Sequence, residues 1–236
     1  MRLDKFLSDS AKYSRKEIRK LIRYRAVAVD GEICIHADRQ VESTDTVTVN
    51  GKKIPYCKYV YLMLHKPAGY VSAVEDKTDP VVVSLVPEDL RHYHVFPVGR
   101  LDKDTEGLLL LTNDGQFDHA LMSPRKEIFK RYYAELSCPL PENAAELFRD
   151  GMDLGDFVSK SALLEVTEDP CKVFIAISEG KFHQVKRMCE KAGSTVTFLK
   201  RISIGPLKLD ETLSPGKVRH LTEEELALLD YSIPLR

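Results

Sequence analysis

No stretch of the sequence approaches the twenty or so apolar residues that a membrane-spanning helix needs. The opening segment, MRLDKFLSDS, lacks the apolar centre of a secretory signal. Cysteine is sparse: Cys34, Cys57, Cys138, Cys171 and Cys189 are odd in number, scattered, and include no CxxC pair. That excludes a disulfide framework and the usual zinc spacings, and predicts reduced thiols in a cytoplasmic protein. His92 and His94 alternate before an apolar run, but no acid or cysteine stands at ligand spacing, so neither a metal nor another cofactor is expected. Internal repeats and low-complexity segments are absent. Net charge is nearly absent too, at −1 over 236 residues, which argues against a uniformly basic nucleic-acid binder.

Hydrophobic residues make up 43% of the chain, enough to bury a core, and the length suits one large domain plus a small one. The neutral average hides an asymmetry. Residues 1–25 carry nine Lys/Arg against three acids, a net +6. Such a patch is either a solvated helix face or the contact surface for an anionic partner. Leu3, Phe6 and Leu7 repeat at helical spacing. Ser14-Arg15-Lys16-Glu17 has the form of a capping box, in which hydroxyl and carboxylate satisfy the first free N–H groups reciprocally. Ile18, Leu21 and Ile22 then face inward, leaving Arg15, Lys16, Arg19, Lys20 and Arg23 outside. With Arg2 and Lys5, these cations are the candidate phosphate contacts. Asp30-Gly31 and Asn50-Gly51, each between alternating apolar residues, predict two hairpins. Residues 52–58 (KKIPYCK) read as a linker between a domain at 1–51 and a domain at 59–236.

The larger part opens with a β-forming run, Tyr59 to Leu64, that stops at His65-Lys66-Pro67-Ala68-Gly69, where proline and glycine enforce a loop. Its centre is residues 98–115, VGRLDKDTEGLLLLTNDG. A charged loop there feeds an apolar run, Leu108 to Leu111, closed by Asn113-Asp114-Gly115. By charge spacing alone, Arg100 and Asp102 form an ordinary surface ion pair, worth little. Further on, Lys130 to Leu136 alternates as a strand does, residues 142–150 suggest a helix, and Val158–Val166 and Val173–Ile177 suggest strands. Val185, Met188, Cys189 and Ala192 have helical spacing, and cations stand near the start of that helix. Many β-patterned runs among a few helices imply an α+β catalytic domain with a mixed, mostly antiparallel sheet.

The ordered run GRLD, then T-x-GLLLLTNDG, resembles the active-site motif of the pseudouridine synthases of the RsuA type. The resemblance implies that Asp102 is catalytic. It extends to K-P-x-G at Lys66, to K-x-Y at Tyr132, and to EGKFHQVKRM at residues 179–188. By that resemblance Tyr132, rather than Tyr133, stands at the uracil, and Arg100, Lys66, His183, Gln184, Lys186 and Arg187 contact the substrate. The third motif supplies a basic partner for the catalytic Asp, usually Arg. Here the aligned residue is Lys186 with Arg187 beside it, which leaves the pairing cation open. The first fifty residues resemble the αL RNA-binding domain of the ribosomal-protein-four type. The implied reaction breaks the uracil N1–C1′ bond, turns the ring and joins C5 to C1′. A carboxylate suits it, by covalent addition or by deprotonating a sugar intermediate. Asp102 has to be charged for this, and Arg100, Lys186 or Arg187 could favour that form. SPRK before KRYY, EGKFHQVKRM, and the tail through SPGK and LTEEE look closer to small-subunit than to large-subunit enzymes. The expected partner is ribosomal RNA in a small-subunit assembly intermediate, engaged by a monomer away from membranes. A non-catalytic RNA-binding protein and a glycosidase using Asp102 and Asp104 are the competing readings.

Overall fold

The computed structural model describes residues 1–10, 13–42, 44–123 and 126–229. Pro124, expected to end a helix, lies outside them. The described residues divide into two compact units, residues 1–60 with Pro87–His94, and Tyr61–Val86 with residues 95–229.

In the first unit, α1 (Leu3–Ser10) and α2 (Arg15–Arg23) are followed by β1 (Val27–Val29), β2 (Glu32–Ile33), β3 (Val47–Val49) and β4 (Lys52–Lys53). The strands form an antiparallel sheet in the order β2-β1-β3-β4. Ser14 caps α2 in the reciprocal arrangement with Glu17 that its sequence prescribes. Leu3, Phe6, Leu7, Ile18 and Ile22 are buried with Val27, Val29, Val47 and Val49 as one core. Both hairpin turns place two successive residues at positive φ: Asp30 and Gly31, then Asn50 and Gly51. That is the turn whose twist matches paired strands. Lys52 and Lys53 pair with β3, so the second hairpin runs into the stretch read as a linker. Tyr56 within it packs on Phe6, ring centroids 5.2 Å apart.

The second unit holds β5 (Tyr61–Lys66), β6 (Phe96–Val98), β7 (Glu106–Thr112), α3 (Gly115–Met122), β8 (Lys130–Leu136), α4 (Ala144–Asp150), β9 (Ala162–Val166), β10 (Lys172–Ile177), α5 (Gln184–Lys191), β11 (Val196–Ile204), β12 (Leu207–Lys208), β13 (Val218–His220) and α6 (Glu223–Leu228). Its sheet runs β13-β5-β7-β11-β8-β10-β9, with β6 on β7 and β12 on β11. Every pairing is antiparallel except β7 with β11. The sheet is thus mixed and mostly antiparallel, and the fold class is α+β. Leu108 to Leu111 are fully buried at its centre. Two apolar faces on one strand mean that both sides of the sheet are covered there.

The parallel junction depends on Gly107. It sits at φ +105, opposite Arg201 of β11, where a Cβ would overlap the Arg201 backbone. Arg201 is buried in turn, and its Nε donates to the Leu108 carbonyl at 2.8 Å. Gly107→Ala therefore combines a disfavoured backbone conformation with a steric clash, and should lower the unfolding free energy by at least about 3 kcal/mol. Gly115→Ala, where a Cβ meets nothing within 4 Å, is the control and should be neutral or mildly stabilising. Denaturant unfolding of both variants checks this; equal losses would mean that the junction is not the sensitive point.

Candidate active site

The loop between β6 and β7 is held from below by the segment that follows β5. Thr105 N–H donates to the Asp102 carbonyl at 3.1 Å, closing a turn. Gly69 N–H donates to the Lys103 carbonyl at 2.7 Å. Ser72 grips Leu101 at both ends: its hydroxyl donates to the Leu101 carbonyl at 2.9 Å and accepts from the Leu101 N–H at 3.0 Å. Lys66 Nζ donates to the carbonyls of Pro67, Lys103 and Thr105, at 3.1, 3.2 and 2.7 Å. All of an ammonium's donors are then engaged with backbone.

Lys66 was expected at the substrate, but it is fully buried and turned to the loop's backbone. Burial pushes its pKa down to about 8, and the negative charges of Asp104, Asp102 and Glu106 offset that only in part.

The loop presents Asp102 half-buried, with 27% of its side chain exposed. The helix α5 meets it. Lys186 Nζ lies 3.1 Å from Asp102 Oδ2 and 2.6 Å from Asp104 Oδ1, so one ammonium serves two carboxylates. Burial would raise the pKa of Asp104, but the hydrogen bond and charge of Lys186 outweigh it and hold it below the usual range. His183, at the N-cap of α5, adopts the left-handed conformation and brings Nε2 to 3.7 Å from Asp102 Oδ1. Arg100, Asp102, Tyr132, His183, Gln184 and Lys186 line one small cleft of about 60 Å3. Tyr132 is buried on this side of β8, while Tyr133 points to the other side and lines a groove of about 990 Å3 with Phe174, Phe198 and Lys200. Size favours the groove, whose own ion pair, Arg131 with Glu165, is largely exposed; the cleft is where a mostly covered carboxylate, its mostly covered cation and a buried aromatic ring meet.

Arg100 is exposed at the cleft; Asp102 pairs with Lys186 instead, and His183 Nε2 lies 3.7 Å from its carboxylate. Two other residues expected at the substrate hold the protein itself. Gln184 is buried: its amide N–H donates to Glu179 at 2.8 Å and its oxygen accepts from the Lys181 N–H at 3.0 Å. Arg187 pairs with Asp156 and lies 5.1 Å from the Phe157 ring centroid. In the first unit Arg2, Lys5, Arg15, Lys16, Arg19, Lys20 and Arg23 are all exposed. Arg2 is paired with Asp4 at 2.7 Å. Three features of the site carry no local signal in the sequence: Ser72 as the clamp of Leu101, the sharing of Lys186, and exposed Phe182 between the lining residues Lys181 and His183. Among the described residues, no cluster of His, Cys, Asp and Glu is arranged to hold a metal ion, and no helix is long and apolar enough to cross a membrane.

Residues 60–191 match a family model described as RNA pseudouridylate synthase, and residues 1–47 match the S4 domain. A protein of Bacillus subtilis (strain 168), named an uncharacterized RNA pseudouridine synthase, is 43% identical over 98% of this chain and 98% of its own. The ribosomal small subunit pseudouridine synthase A of Escherichia coli (strain K12) is 40% identical over 96% of this chain and 99% of its own. A crystal structure of a pseudouridylate synthase superposes with a TM-score of 0.69 at 35% identity, covering 97% of this chain and 99% of that one.

The buried ammonium has a measurable signature. In the unfolded chain Lys66 keeps its proton up to its ordinary value of 10.5; in the folded chain it does so only up to about 8. Between those values the unfolded state binds more protons, so rising pH stabilises the fold. The stability of the wild type relative to Lys66→Met should be flat below pH 8 and climb from there to pH 10.5. Urea midpoints measured across that window check it; a flat or falling difference would mean that Lys66 carries no burial penalty.

Proposed function

The chain belongs to the RNA pseudouridylate synthase family, and on that premise we propose that it isomerises one uridine of small-subunit ribosomal RNA, with Asp102 carrying the chemistry. The enzyme is an RNA isomerase, and RNA is its partner. The observation that supports the finer substrate is the 40% identity, over nearly the whole chain, to relatives named for the small subunit. The site supports the residue. Asp102 is the carboxylate at which a buried clamp, a paired ammonium and a buried tyrosine converge.

Each residue then has a task. Uridine leaves its stack and enters the cleft, as base-modifying enzymes require. Lys186 stabilises the carboxylate charge of Asp102 at the sugar, while the N1–C1′ bond breaks and C5 is joined to C1′. The ring of Tyr132 packs on the uracil, and its hydroxyl serves proton transfer as C5 loses its hydrogen. Arg100 and His183 are the remaining polar contacts to substrate at the cleft. Asp104 shares the ammonium with Asp102 rather than standing across a sugar bond, which favours isomerisation over glycoside hydrolysis. The first unit, taken as the RNA-holding domain, offers the cations of α2 to phosphates, and RNA shape supplies specificity. We place the reaction in the cytoplasm, on an assembly intermediate, because an enclosed base cannot be flipped out. A monomer suffices, since one chain supplies every residue of the cleft.

Asp102→Asn keeps the shape and removes the charge. Pseudouridine formation should fall at least about a thousandfold, with RNA affinity nearly unchanged. Deleting the gene in its own organism and mapping pseudouridine in ribosomal RNA should show one small-subunit position lost, recovered only by a copy with Asp102 intact. Loss confined to large-subunit or transfer RNA would overturn the substrate and leave the reaction. Near-normal turnover by the variant would overturn Asp102.

The second test addresses the basic helix. Neutralising Arg15, Arg19 and Arg23 together should weaken RNA binding and make the slope of log affinity against log salt shallower by about 2 to 3, since each phosphate contact releases most of one counterion. An unchanged slope would remove α2 from the interface.

A further inference from the structure

Phe182 is a large apolar ring left 74% exposed. Its neighbours in the chain, Lys181 and His183, both line the cleft with Asp102 and Lys186, which puts the ring at the cleft mouth. Its ring stacks on the imidazole of His183, centroids 3.8 Å apart and planes within 18°. His183 holds that position at φ +51, a conformation that side chains other than glycine disfavour and that persists only when the surroundings enforce it. The same conformation aims Nε2 at Asp102, 3.7 Å away. Asp102, His183 and Phe182 thus form a file from the candidate reacting carboxylate outward, with the imidazole on one face of the phenyl ring and solvent on the other. Lys181 and Arg100, both exposed, line the same cleft and suit phosphate groups; the Lys181 ammonium lies 5.9 Å from the Phe157 ring centroid.

An open aromatic face flanked by cations is the chemistry that single-stranded RNA recognises: every base can stack on it, and its phosphates find charge nearby. A uridine drawn into the cleft leaves its neighbours in the strand without a stacking partner. We propose that the open face of Phe182 receives the base adjoining the target uridine, so that this residue positions the strand at the cleft mouth. The inference rests on the RNA-isomerase reading of the same site. It makes Phe182 a positioning residue, which acts on substrate binding and not on the bonds that change.

The test compares Phe182→Ala, Phe182→Leu, Phe182→Tyr and Phe182→Trp. The alanine variant should raise KM for small-subunit ribosomal RNA about tenfold while kcat stays within about threefold. Tyrosine and tryptophan should restore KM and leucine should not. Thermal unfolding should be unchanged throughout, because the ring buries little. Independently of turnover, hexanucleotides with 2-aminopurine on the 5′ or the 3′ side of a central uridine should be quenched by the wild type on one side, and not by the alanine variant. Unchanged KM and quenching in Phe182→Ala would overturn the proposal. So would rescue by leucine equal to that by tryptophan, which would mark an apolar contact such as a protein partner makes. Absence of pseudouridine in any RNA treated with wild type would overturn the reaction reading, and the fluorescence would still decide on Phe182.

Discussion

One buried ammonium group organises the loop that carries Asp102. Lys66 ends the strand β5 and reaches under residues 99–105, where its ammonium donates to the Lys103 and Thr105 carbonyls, as it does to the carbonyl of Pro67 next in the chain. A loop of this kind would otherwise carry carbonyls directed into the protein without partners, a costly state in a low-dielectric interior. The lysine converts that cost into a fixed backbone. Ser72 and Gly69 add three further bonds to the same loop. Beyond it the chain enters β7, whose four leucines are locked in the sheet centre. Asp102 therefore stands on a loop fixed along one side by a clamp and at one end by core packing. That is the support needed to hold a reacting group to a fraction of an ångström.

Electrostatics at the cleft are a matter of sharing. Three charged side chains, Asp102, Asp104 and Lys186, meet with one positive charge between two negative ones. The outer carboxylate is 74% exposed, so water screens it, while the inner one and the ammonium are mostly covered. These three alone carry a net negative charge, but Arg100 and Lys181 line the same cleft and turn the sum positive, the sign that suits an approaching polyanionic RNA.

Local patterns in the sequence carried most of the fold. The capping box at Ser14–Glu17, the Asp30-Gly31 and Asn50-Gly51 turns, and the apolar run at Leu108–Leu111 are all short-range signals, and short-range bonds realise them. The period of a strand also puts Tyr132 and Tyr133 on opposite faces. What could not be read depended on partners distant in sequence. A lone lysine after a strand looks like a surface residue; Lys66 is buried because its carbonyl partners lie 37 and 39 residues away. Arg187 looked equivalent to Lys186 until Asp156, 31 residues earlier, claimed it. Ile33 and Ile35 fit a hairpin pattern yet stay 60% and 54% exposed, since nothing in the sequence says which face of so small a sheet is covered. Val81 to Val86 is another apolar run, and within it Val82–Leu85 coils as a short 3-10 helix.

The neighbouring cations of α5 carry one more consequence. Successive residues on a helix point about 100° apart, and here Lys186 faces Asp102 while Arg187 faces Asp156. The turn at residues 179–183, stitched by Gln184 to Glu179 and Lys181, sets the rotational phase of the helix. Inserting or removing a single residue in that turn would rotate α5 by this angle, swing the ammonium away from the loop and bring another side chain round. Side-chain identity at the cleft is therefore a matter of chain length as much as of composition, and over evolutionary time the turn should accept substitutions more readily than changes in its number of residues.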